Sequence, residues 1–118
     1  MSETITYKFE VRVVMLLEND TWIAQGLDYD ITGHGRTTDA ALDNFGQTLL
    51  GQAIVDIHHG LEPLSNTPKA PEFYWKRFDE EGWRKEKRFA VRERRTVPEE
   101  TPPAFMISAI ATASRIDA

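Results

Sequence analysis

Two small groups of residues in this chain have the types and spacing of a metal site. Asp28 and Asp30 are two positions apart, so their side chains can face the same way, and His34 follows four residues later. These residue types fit a magnesium site for phosphoryl chemistry. Such sites draw on more carboxylates, supplied by several elements. We therefore favour a solvated turn whose aspartates cap backbone groups or contact a partner. A weak metal-dependent nuclease is kept as an alternative function.

The second group is His58-His59, close to Asp56. Adjacent residues of a helix point about 100° apart, so only His59, with Asp56 or with an outside ligand, fits a shared metal. A histidine near a helix C-terminus is explained more simply by its favourable interaction with the helix dipole. We predict no metal, no cofactor and no catalytic triad, and hence no enzyme.

A basic and aromatic stretch follows in the second half of the chain. Six of the twelve aromatic residues lie between Phe73 and Phe89, and residues 84–95 hold seven basic and two acidic side chains. Aromatic rings stack on bases and basic side chains hold phosphates, so single-stranded RNA is one possible ligand. We favour the alternative that the rings pack under a sheet edge or in a dimer interface. The candidate partner-binding residues of the whole chain are Asp28, Tyr29, Asp30, Trp75, Arg77, Trp83 and Arg84.

Charge is distributed unevenly along the 118 residues. The net charge is −5, with −6 in residues 1–60 and +1 in residues 61–118. A pI near 5.2 is unlike that of an autonomous nucleic-acid-binding domain, which normally exceeds about 9. An acidic half facing the basic segment of another copy predicts a homo-oligomer.

Cysteine usage and hydropathy bear on the compartment. The chain has no cysteine, which excludes a disulfide scaffold and a thiol nucleophile. No apolar run approaches the ~20 residues of a membrane helix, and the first residues lack the basic and apolar regions of a signal peptide. We expect a cytoplasmic protein without a membrane partner.

The elements that must position these residues begin with three strands. Apolar side chains alternate with polar ones over residues 7–17, which is typical of a half-buried strand. Residues 21–27 and 31–35 predict a second strand, paired with the first as a hairpin, and a short third one.

A long amphipathic helix is predicted next, with Thr37 as its N-cap. Apolar residues recur every four positions up to Ile57 and need a sheet to cover. Gly46 and Gly51 are interpreted as points of close packing, on the sheet side or at an interface, and Gly60 as the left-handed residue that ends the helix. The structural residues of this prediction are Thr37, Phe45, Leu49, Ile57 and Gly60.

Proline-rich connectors separate the remaining segments. Residues 84–95 are interpreted as a strand or an exposed arm. For residues 105–113 we prefer a strand to a helix, because proline precedes them and β-branched residues are frequent. The predicted fold is α+β: an antiparallel three- to four-stranded sheet backed by one long helix, in the order β-β-β-α-β. Residues 1–60 form the β-β-β-α unit, and residues 61–118 an extension that adds a final strand to the same domain.

One string in the first half resembles a known family. Trp22-Ile23-Ala24-Gln25, Asp28 and Gly35-Arg36-Thr37-Thr38-Asp39-Ala40-Ala41-Leu42 resemble the HicB-like antitoxins over residues 5–60. The resemblance implies a partial ribonuclease-H-like fold that binds and occludes a small, mRNA-cleaving HicA-like toxin. Residues 61–118 show no helix-turn-helix or ribbon-helix-helix pattern, so no DNA-binding domain is expected. We predict a non-catalytic protein-binding module, with single-stranded RNA binding as the alternative.

Overall fold

A five-stranded mixed sheet and one long helix make up the fold. The computed structural model describes residues 4–78, 82–93 and 104–116. The sheet has the order β3-β2-β1-β5-β4, in which β1 and β5 run parallel and all other neighbours run antiparallel. The elements are β1 (Ile5–Glu18), β2 (Thr21–Gly26), β3 (Thr32–Gly35), α1 (Thr38–His58), α2 (Glu72–Trp75), β4 (Arg84–Glu93) and β5 (Phe105–Arg115).

This architecture confirms the α+β class and corrects the predicted sheet. The predicted antiparallel sheet of three to four strands is wrong in two respects. The basic segment forms a fifth strand, β4, beside β5, and β1 and β5 are parallel. The final segment is a strand, as predicted, but it lies parallel to β1 and between β1 and β4. The extension therefore shares one sheet with the first sixty residues.

Both edges of the sheet reach the helix. On β3, Gly33 lies so close to α1 that an added Cβ would fall 2.2 Å from the backbone nitrogen of Phe45. At the opposite edge, Lys85 and Lys87 of β4 form ion pairs with Asp39 and Asp43 of α1. Contacts at both edges mean that the sheet curves around the helix.

The residues that face α1 explain how the sheet can curve so tightly. Three successive inward positions of β5, at 109, 111 and 113, are buried alanines, and the inward positions of β3 are glycines. Phe45 and Leu49 fill the space between helix and sheet and are almost fully buried. Small residues on β3 and β5 therefore let the large side chains of the helix pack close to these strands.

The ends of α1 are as the sequence predicts. The Thr37 hydroxyl accepts a hydrogen bond from the backbone N–H of Ala40 at 3.0 Å, and Gly60 has a φ of +75°. Ile57 is buried, and Gly46 packs against the ring of Phe89. Gly51, in contrast, has open space around it, so it is not a packing point on the sheet side.

Asp56, near the end of α1, is buried, which is unusual for an acidic side chain. Its side chain accepts hydrogen bonds from the backbone N–H of Leu64 at 2.8 Å and from Nε2 of Gln52 at 3.0 Å. A buried carboxylate needs such donors. Asp56 thereby stabilises the start of the connector that follows α1, in which Leu64 has a φ of +65°.

That connector crosses to the other face of the sheet. Residues 64–78 bring Ala70, Trp75 and neighbouring rings against Val14 and Leu27, forming a second, smaller core. The Trp75 indole N–H donates to the carbonyl of Ala70 at 3.1 Å. The sheet is therefore covered by α1 on one side and, over part of its area, by the connector on the other.

Candidate functional site

The part of the sheet left uncovered is the main candidate site. We call it the open face: the surface of β1, β5 and β4 that points away from α1 and lies beyond the connector. Strand register places three rows of side chains across it. These rows are Lys8–Ser108–Ala90, Glu10–Ile110–Arg88 and Arg12–Thr112–Glu86.

Charges on the open face alternate in both directions. Along β1 the sign changes from Glu10 to Arg12, and along β4 it changes from Glu86 to Arg88. Alternate residues of a strand lie about 7 Å apart, and two strands separated by a third lie about 10 Å apart. Glu10 thus shares a row with Arg88, and Arg12 with Glu86, each pair across β5.

A shallow groove of about 390 Å³ runs between these charged residues. Ile110 and Thr112 of β5 lie between the two charged strands, and Asp28 adds a further carboxylate to its lining. A groove with both signs of charge suits a polar protein surface. A polyanion would meet the carboxylates of Glu10 and Glu86 as well as the arginines, which lowers its electrostatic attraction.

Asp28 is anchored at the border between the open face and the connector. Its Oδ2 accepts a hydrogen bond from the backbone N–H of Arg12 at 2.7 Å, and its Oδ1 accepts one from Nη2 of Arg12 at the same distance. The Arg12 guanidinium also lies 4.4 Å from the centre of the Trp75 ring. This stacking places both signs of charge and an aromatic ring at one rim of the groove.

The other two loop candidates have partners elsewhere in the fold. Tyr29 packs edge-on against Phe9, with ring centres 6.1 Å apart, on the side of α1. Burial raises the pKa of its phenol above the usual value, and the charge of Asp28 adds to this effect. Asp30 accepts a hydrogen bond from Nε2 of Gln25 at 2.8 Å.

The candidates from the basic aromatic stretch do not share one surface. Trp83 packs into the main core beside α1, with the Arg115 guanidinium 5.4 Å from its ring centre. Arg84 lies on the opposite side of β4, stacked 4.6 Å above the ring of Phe78. Arg77 stacks 4.5 Å from the ring centre of the exposed Phe73. Asp28, Trp75 and Arg84 therefore lie along the border between the open face and the connector, and the remaining four candidates lie apart from it.

The residues considered for metal binding are dispersed. Asp28 and Asp30 have the partners given above, and the backbone N–H of His34 donates to Oδ1 of Asn44 at 3.0 Å. His58 lies edge-on to Phe105, with ring centres 6.2 Å apart. Within residues 4–78, 82–93 and 104–116, no three histidine or acidic side chains form a group that could hold a metal ion.

Sequence reasoning missed four residues of the open face: Lys8, Glu10, Glu86 and Arg88. Each is an exposed charge on a strand, and such charges are normally only solvated. The signal that identifies them is long-range register, since Glu10 and Arg88 are 78 positions apart and meet only because β5 lies between their strands.

Comparison of the chain with protein-family models, with curated proteins and with solved structures found no match. In the described part of the chain, no helix has the length and apolar character needed to cross a membrane.

Proposed function

We propose that this protein is a non-catalytic, HicB-like protein-binding module whose open face receives a small partner, as an antitoxin receives a HicA-like toxin. The observation that carries the proposal is the groove between β1 and β4, with its alternating charges. Its mechanism is steric: a partner seated on the sheet has its own active surface covered.

The segment of residues 35–42, which resembles HicB-like antitoxins, supports the architecture that this proposal requires. Gly35 is tightly packed, with an added Cβ meeting the backbone nitrogen of Ala41 at 2.5 Å, and Thr37 caps α1. Ala41 and Leu42 are fully buried. These residues hold the helix against the strands, so this segment supports an architecture shared with HicB-like antitoxins. In the proposal, the open face makes the contact with the partner.

Calorimetric titration of the full chain with a HicA-like protein encoded by a neighbouring gene tests this function. We expect a saturable complex that is weakened by Glu10→Lys, because this change removes one of the alternating charges. Gln47→Lys, on the exposed side of α1, is the matched control and should leave affinity unchanged. No heat of binding, or equal weakening by both variants, would contradict the proposal.

Single-stranded RNA binding is a second candidate, favoured by one specific feature of β4. Its outward side chains include Arg84, Arg88 and Arg92, against the single glutamate Glu86. RNA bound there should be released by salt and weakened by Arg88→Ala. Fluorescence anisotropy with a labelled oligonucleotide at low salt measures this, and an unchanged signal over the titration would remove RNA from consideration.

A further inference from the structure

β4 is the outer strand of the sheet and pairs on one side only. Its ten residues pair with β5, and the described ranges contain no strand on its other side. Half of the backbone N–H and C=O groups of an edge strand point away from its neighbour, so this edge offers a row of donors and acceptors to another strand. The opposite edge strand, β3, has only four residues.

We propose that this edge pairs antiparallel with β4 of a second copy of the chain, with Phe89 opposite the partner's Phe89. The two sheets would then join into one continuous sheet of ten strands, with both helices on the same face. Strand addition of this kind gains main-chain hydrogen bonds, and the side chains set the register. The inference is independent of the proposed binding partner.

The charges of β4 select this register. When the two-fold axis passes through Phe89, Glu86 lies opposite the partner's Arg92, and symmetry repeats this pair. Arg88 then faces the partner's Ala90, and Lys87 faces the partner's Val91. Opposite charges directly across a strand pair are stabilising, whereas like charges are destabilising.

Neighbouring registers bring like charges together. With the axis at Arg88, that residue faces its own copy and Arg84 faces the partner's Arg92. With the axis at Ala90, Arg88 faces the partner's Arg92. With the axis at Lys87, two lysines meet. Among the registers centred on residues 86–90, only the axis at Phe89 avoids a like-charge pair within residues 85–92, so charge favours this register over its neighbours.

Inward lysines often protect an edge strand from pairing, but here their charges are balanced within the subunit. Lys85 and Lys87 are ion-paired with Asp39 and Asp43 of α1, and each lysine side chain is 29% exposed. An inward-pointing charge protects an edge when pairing would leave it without a partner. The aspartates supply that partner in advance, so the edge of β4 stays available.

Sedimentation velocity of the full chain, at low salt and from micromolar to millimolar concentration, tests the proposal. We expect a reversible monomer–dimer equilibrium. Glu86→Arg and Arg92→Glu should each weaken dimerisation roughly tenfold, because each places like charges opposite at two symmetric positions. The control is Lys8→Glu, a charge reversal on the open face of β1, away from the edge.

Mixing the two variants gives the decisive result. An equimolar mixture should dimerise as the wild type does, because the mixed pair brings opposite charges together at both positions. The double variant Glu86→Arg/Arg92→Glu should also regain self-association. A wild type that stays monomeric throughout would overturn the proposal, and so would a dimer that neither variant weakens or that the mixture fails to restore.

Discussion

The two faces of this sheet are built on the same strands but are chemically opposite. Towards α1, β1 presents Val11, Val13 and Met15, all buried, and β5 presents three buried alanines. Away from α1, the same strands present Glu10, Arg12 and Thr112 around an open groove. Because strand side chains alternate, one stretch of sequence stabilises the fold on one face and is free to bind on the other. Stability and binding should therefore respond to different substitutions.

The largest expected effect is on the helix-facing side. Phe45→Ala should lower the free energy of unfolding by about 3–5 kcal/mol, because a fully buried aromatic ring is lost and a cavity remains. Urea unfolding followed by circular dichroism measures this change. Leu17→Ala, at a side chain 57% exposed, is the control and should cost under about 0.5 kcal/mol. Equal losses would contradict the assignment of the two environments.

Two glycines differ in whether they lie at the contact between helix and sheet. Gly33→Ala should destabilise by about 1–3 kcal/mol, because the new Cβ would collide with the backbone of α1. Gly51→Ala, where space is open, should instead stabilise by about 1 kcal/mol through helix propensity. Unfolding midpoints of both variants give the signs, and a stabilised Gly33→Ala would show that β3 does not approach the helix as described.

Two basic residues of the open face, Arg12 and Lys8, differ in their contacts with the rest of the fold. Arg12→Ala should cost about 1 kcal/mol, since it removes both the ion pair with Asp28 and the stacking on Trp75. Lys8→Ala, on the same strand and the same face, should change stability by less than about 0.5 kcal/mol. Thermal unfolding of the two variants is the measurement. A larger loss from Lys8→Ala would reverse the assignment.

The smallest expected effect is acid sensitivity at the contact between α1 and β4. The hydrogen bond and charge of Lys85 lower the pKa of Asp39. The ion pair therefore stabilises the fold above the ordinary aspartate pKa of about 3.9, and this contribution is lost as pH falls through the lowered pKa. Asp39→Asn should reduce the difference between urea midpoints at neutral and acid pH. Glu18→Gln, in the exposed end of β1, should not.

The spacing of apolar residues along the chain predicts those elements whose buried face is set by residues close together in sequence. The alternation in β1 and the four-residue spacing in α1 both identify the element and its buried face, including Phe45 and Ile57. The sequence does not decide between a strand and an arm for β4, because charged residues occupy both of its faces. Its inward lysines are neutralised by α1, a contact that spans more than forty residues of sequence.

The candidate site was predictable only in part, for a related reason. The sequence identifies Asp28 and Trp75 as candidates because each is a polar or aromatic residue close to the end of a regular element. Glu10 and Arg88 acquire their relation only when β5 inserts between β1 and β4. The parallel pairing of β1 with β5 leaves no mark in either strand's own pattern, so the groove required the structure.

The division between the two faces is tested most directly by recording backbone amide NMR spectra of the labelled full chain during titration with the HicA-like protein. The account predicts that signals of Lys8, Glu10 and Arg88 shift or broaden with added partner, while those on the exposed side of α1, such as Gln47 and Gln52, stay in place. Perturbations confined to α1, with the open face unchanged, would contradict it.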